Sequence, residues 1–170
     1  MSRSVTAFSE LLSYFTKCEL PLTIQYSDQH QFSKSNDDLP DSLLQQFIFP
    51  NLDFEVDEFT EFLPCIQFES VKGVHTLILW TARLMRYSFY LLNFDEQGRF
   101  LHLQEIAGFY SEDDQLINKM AHIDVTGHIY ILEGTLDESH HEVNPVHTKK
   151  WMLEFLPDGT LRKSEVNLEL

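Results

Sequence analysis

Three short stretches constrain the fold more than any other feature of this chain. They are FDEQGRF (94–100), IDVTGHI (123–129) and FLPDGTL (155–161). Each runs apolar residue, four residues ending in Gly, one further residue, apolar residue. An antiparallel strand pair needs a tight reversal, and short hairpin loops place a residue at positive φ. Gly98, Gly127 and Gly159 take that conformation without a Cβ clash. Asp95 and Asp124 open their loops, where a short carboxylate accepts hydrogen bonds from nearby backbone N–H groups. Pro157 presets the φ of its own turn. The repetition is therefore hairpin chemistry, and none of it requires a ligand.

From residue 65 onward the chain reads as four such hairpins. CIQFES and HTLILW flank a turn at Lys72-Gly73. RYSFYLLNF and RFLHLQEI flank DEQG, MAHID and HIYILEG flank VTG, and KKWMLEF and TLRKSEV flank LPDG. Trp151, Leu153 and Phe155 alternate with Lys150, Met152 and Glu154, the period of a half-buried strand. Residues 74–94 are apolar enough to raise a membrane span, but Arg83 and Arg86 sit at their centre. Each would cost about 2.5–3.5 kcal/mol at mid-bilayer, so two strands and a turn are expected there.

The N-terminal third differs. Val5, Phe8, Leu11, Leu12 and Phe15 recur at helical steps, which predicts an amphipathic helix over 4–16 with Ser4 as cap. Residues 20–26 read as extended, and the polar 27–38 as a loop. Asp41 can cap a short helix carrying Leu43, Leu44 and Phe47, closed by Pro50. Residues 51–64 fit neither period. The expectation is a mainly β chain, an antiparallel meander of about eight strands forming a curved sheet, a sandwich or a propeller-like array. The repeat is shorter than the ~40–50 residues of propeller blades. Two short N-terminal helices would cover one face or end. One domain is expected over 1–170, with a helical and irregular part at 1–64 and the meander at 65–170.

The run YSFYLLNFDEQGRFLHLQEIAG followed by HIDVTGHIYILEG, with the LP-x-x-I segment at Leu20–Ile24, resembles a broad group of uncharacterised β-hairpin-rich proteins from Bacteroidetes-type bacteria. The resemblance covers residues 20–135 and rests on turn motifs. Many of that group look like exported lipoproteins, whereas this chain shows no lipobox. The resemblance implies a β-hairpin fold and carries over no activity and no site residue.

The formal net charge is −15, from 27 acidic and 12 basic side chains. That sign excludes ordinary nucleic-acid binding and attraction to an anionic membrane surface, both of which need Lys and Arg. It permits solubility, and it permits steering toward a basic protein as partner. Two cysteines, Cys18 and Cys65, are too few for a disulfide framework and read as buried thiols. The N-terminus lacks the apolar core of a signal peptide, so a cytoplasmic location is expected.

Two clusters could carry function. Asp53, Glu55, Asp57, Glu58 and Glu61 place five carboxylates within nine residues, without EF-hand spacing. They either present a negative patch to a basic protein or form a solvated face with Phe54, Val56, Phe59 and Phe62 tucked inward. His140, His141, Glu142 and His147 are potential metal ligands in a loop interrupted by Pro145, and they do not form the HExxH pattern. His75, His102, His122 and His128 fall on expected strands, and Trp80, Tyr87, Phe89 and Tyr90 read as core. No nucleophile elbow, phosphate loop, dinucleotide fingerprint or CxxC is present, and no cofactor is expected. The chain therefore reads as a non-catalytic protein-interaction module, with a bacterial immunity or adaptor protein as one concrete form. The alternatives are a metal-binding protein or metal-dependent enzyme built on the His-rich loop, and a small-ligand carrier with an aromatic pocket. Oligomeric state is not legible.

Overall fold

The computed structural model describes residues 3–137 and 148–166. The chain opens with α1 (Arg3–Ser13), then the short strands β1 (Thr16–Lys17) and β2 (Leu22–Ile24). A 3-10 turn (Tyr26–Asp28) leads into α2 (Gln29–Ser35). The helical turn α3 (Asp41–Leu43) continues as a π-helical turn, Leu44–Ile48, and a 3-10 turn, Phe49–Asn51. The remaining strands are β3 (Glu61–Glu69), β4 (Val74–Arg83), β5 (Arg86–Asp95), β6 (Phe100–Glu112), β7 (Gln115–Ile123), β8 (Ile129–Asp137), β9 (Lys149–Phe155) and β10 (Leu161–Val166).

These ten strands form one open sheet in the order β1-β3-β4-β5-β6-β7-β8-β9-β10, with β2 added to β7. Every pairing is antiparallel except β1 with β3. The mainly β meander expected from the sequence is thus what forms, with two short strands added. All four expected hairpins are present, and Gly73, Gly98, Gly127 and Gly159 have φ between 81° and 89°. Asp95 Oδ1 accepts from the Gln97 and Arg99 amides, and Asp124 Oδ1 from those of Thr126 and His128.

Two apolar cores flank the sheet. On one side α1, Phe15 just beyond it and the 41–51 turns bury Phe8, Leu11, Phe15, Leu43, Phe47 and Ile48 against Leu77, Leu79, Leu92 and Phe94. The other core joins Cys65, Ile78, Phe89 and Leu91 to Ala121, Ile123, Ile129, Ile131 and Leu153. The sheet therefore curls until its early and late strands meet. Phe68 of β3 lies edge-on to Phe155 of β9 at 6.3 Å, and buried Asn93 donates to the Gly159 carbonyl at 2.8 Å.

Three local expectations shift. α1 ends at Ser13. Gln67 Nε2 then bonds the Leu12 and Phe15 carbonyls, fastening that end to β3. Residues 27–38, expected as a loop, hold the 3-10 turn and α2, because Phe32 packs on the sheet core. A further hairpin joins β6 to β7 through Asp113 and Asp114, whose φ values of 52° and 61° do the work of glycine. None of the helices described is long and apolar enough to cross a membrane.

Candidate functional site

The acidic run becomes an irregular arm between the helical turns and β3. Its beginning and end are anchored. Phe54 packs on Tyr90 at 5.6 Å, with the Arg83 guanidinium 3.8 Å above its ring, and Phe62 packs on Phe49 at 5.5 Å. Between these anchors the chain makes a closed turn. Asp57 Oδ1 accepts from the Phe59 amide at 2.9 Å and from the Thr60 hydroxyl at 3.0 Å. The Asp57 amide donates back to Thr60 Oγ1 at 3.1 Å, and the Thr60 amide to the Asp57 carbonyl.

That turn fixes where the side chains go. Phe59 is 75% exposed and Val56 36%. The four apolar residues of the run therefore divide: Phe54 and Phe62 point inward, Val56 and Phe59 outward. Asp53, Glu55, Asp57, Glu58 and Glu61 are all exposed. Among the described residues none of the five makes an ion pair. Asp57 differs from the others, since it is committed to holding the turn.

The His-rich candidates His140, His141, Glu142 and His147 lie outside the described residues. Among the described residues no group of three or more His, Cys, Asp or Glu side chains could hold a metal ion. Of the four histidines expected on strands, His75, His102 and His122 lie on them and His128 stands in the β7–β8 turn. His75 lies edge-on to Phe8, His122 shares a hydrogen bond with Thr23, and His128 one with Thr126. Burial holds His102 below its ordinary pKa, in its neutral form.

A second charged constellation was not legible in the sequence. Glu105 of β6 accepts from Arg86 at 2.9 Å, from the Ser88 hydroxyl at 2.7 Å and from Lys119 at 3.0 Å. Lys119 also meets Glu133 at 3.4 Å, and Arg86 and Lys119 both lie over the Tyr110 ring. Burial alone would raise the Glu105 pKa, but Lys119, Ser88 and Arg86 outweigh it and hold the carboxyl below its ordinary value. Burial alone would lower the Lys119 pKa, and Glu105 with Tyr110 drives it well above the ordinary range instead. Both groups are locked in their charged forms. A proton-transfer residue needs a pKa near the working pH, so this network serves to clamp β5 through β8 together. One signal could have found it. Lys119 and Glu133 stand in phase with the buried Ala121 and Ile131, two residues away on their strands.

The aromatics of the carrier reading are placed as follows. Phe89 and Tyr90 are buried, and Trp80 stacks on Tyr87 at 6.3 Å. A groove of about 700 Å³ runs between α1 and the sheet edge, past Leu12, Lys17, Cys18, Gln67 and His75. Cys18 and Cys65 are free thiols, and burial raises the pKa of both. Neither is activated as a nucleophile. No family model matches this chain, and neither does a curated protein or a solved structure.

Proposed function

We propose that this chain is a non-catalytic protein-interaction module that receives a basic protein on its acidic arm. One observation carries the reading. Phe59 is held 75% exposed by a hydrogen-bonded turn, in the middle of carboxylates that have no cationic partner among the described residues. Leaving a phenylalanine in water forgoes about 2–3 kcal/mol of burial. An exposed aromatic anchor with a polar rim is the usual anatomy of a protein interface. The unpaired carboxylates give that rim its sign, and they would speed encounter with a positive surface. An immunity or adaptor protein is a concrete form of such a module.

Affinity capture with three forms of the protein tests this. The wild type, Phe59→Ser, and the double variant Glu55→Lys with Glu58→Lys would each be immobilised and offered the native lysate. Asp57 is left intact, because it builds the turn. The expected result is a basic protein held by the wild type, released as salt rises, and lost from both variants. A set of retained proteins unchanged by both variants would overturn the reading.

A further inference from the structure

The β4–β5 hairpin ends on Leu84 and Met85, which are 91% and 63% exposed. Hairpin tips ordinarily use Gly, Asn or Asp, which tolerate positive φ. Met85 sits at φ 61°, a conformation that a side chain of its type rarely adopts. The sequence thus accepts backbone strain and places two large apolar side chains in water at the same point. Broken local rules of this kind concentrate where function requires them.

The tip lies at the same end of the sheet as the acidic arm. Glu61 pairs with Ala82, so Phe59 stands two residues before Glu61 and Leu84 two residues beyond Ala82. Arg83 ties the two together, stacking on Phe54 at 3.8 Å and donating to the Tyr90 hydroxyl at 3.1 Å. Arg86 is taken up by Glu105. Both arginines of the hairpin are therefore held against the protein, Arg83 on an aromatic ring and a phenol and Arg86 on a carboxylate, and among the described residues the arm's five carboxylates make no ion pair.

We infer that Leu84, Met85 and Phe59 form one docking surface with the arm's carboxylates, and that its occupant is a protein segment in which apolar side chains alternate with Lys or Arg. The inference rests on the interaction reading above and adds a requirement to it. Carboxylates alone would accept any polycation. The apolar tip selects for cations that carry apolar neighbours, and the same carboxylates repel anionic lipid and nucleic acid.

Two labelled peptides of equal length and charge test this by fluorescence anisotropy, one alternating Lys with Leu and one alternating Lys with Ser. The wild type is expected to bind the Lys–Leu peptide at least about tenfold more tightly, the effect of burying one large apolar side chain. The variant Leu84→Ser with Met85→Gly relieves the turn and is expected to unfold in urea no earlier than the wild type. It should lose the tenfold preference and keep its affinity for the Lys–Ser peptide. Glu55→Lys with Glu58→Lys should weaken both peptides. Equal binding of the two peptides by the wild type, or a preference that survives in the tip variant, overturns the docking surface while leaving the acidic-arm reading intact. Lys–Ser binding undiminished by charge reversal, or no binding of either peptide, overturns the arm reading and this inference with it.

Discussion

Replacing Glu105 with Gln keeps the shape of the side chain and removes the charge at the centre of the β5–β8 clamp. The carboxylate is 11% exposed and accepts from Arg86, Ser88 and Lys119. Removing one member of a fully buried ion pair costs about 3–5 kcal/mol, because the other charge is left without compensation. Here the penalty is softened in two ways. Lys119 retains Glu133 at 3.4 Å, and Arg86, 33% exposed, can turn toward water. A loss of about 2–3 kcal/mol follows. With a urea slope of about 2 kcal/mol per molar, the unfolding midpoint should fall by about 1–1.5 M. The effect should also depend on pH in one direction. The folded-state pKa of Glu105 is depressed, so its contribution is complete above the ordinary glutamate value of 4.5 and is lost as pH falls through the folded value. The gap between wild type and variant should be constant from pH ~5 to 8 and close as the medium is acidified further. Urea titrations followed by tryptophan fluorescence across that range measure both quantities. A midpoint shift under about 0.3 M at neutral pH, or a gap that widens in acid, would refute the clamp.

Other expectations follow from single positions. Gly159→Ala should destabilise by about 2 kcal/mol in urea unfolding, since the turn needs φ +87° and a methyl there runs into Leu101. Asn93 is fully buried, accepts from Thr76 at 2.6 Å and donates to the Gly159 carbonyl, so Asn93→Leu should cost about 1–3 kcal/mol in the same assay. Met85→Gly alone should stabilise by up to about 1 kcal/mol by relieving positive φ, read as a higher melting temperature. In native protein an alkylating reagent should label Cys18 slowly and leave Cys65 untouched until urea is added, with mass spectrometry as readout. Fast labelling of Cys65 would contradict its burial.

The hairpins were legible because turn chemistry is local. A glycine at positive φ and an aspartate accepting from the next amides leave the same trace wherever they occur. The β6–β7 hairpin escaped notice because two aspartates replaced the glycine. α2 was hidden because QHQFSKS is polar and carries only Phe32 as an anchor, and a long-range contact decided its conformation. The acidic arm could be found by its charge. That Phe59 faces out could not, since it depends on how Asp57 and Thr60 close the turn between two half-buried phenylalanines. The Glu105 clamp joins residues from four strands, and strand phase marks Lys119 and Glu133 as facing inward without showing which charges they meet.

The most direct test of the interaction reading is a photo-crosslink from position 59 in living cells of the source organism. Phe59→p-benzoylphenylalanine places the reactive group where the exposed ring stands, and the same substitution at Val125, 71% exposed on the β7–β8 turn, serves as control. After irradiation, adducts would be purified and identified by mass spectrometry. The account predicts a basic protein joined through position 59 and absent from position 125. Adducts identical at the two positions, or none at position 59, would contradict it.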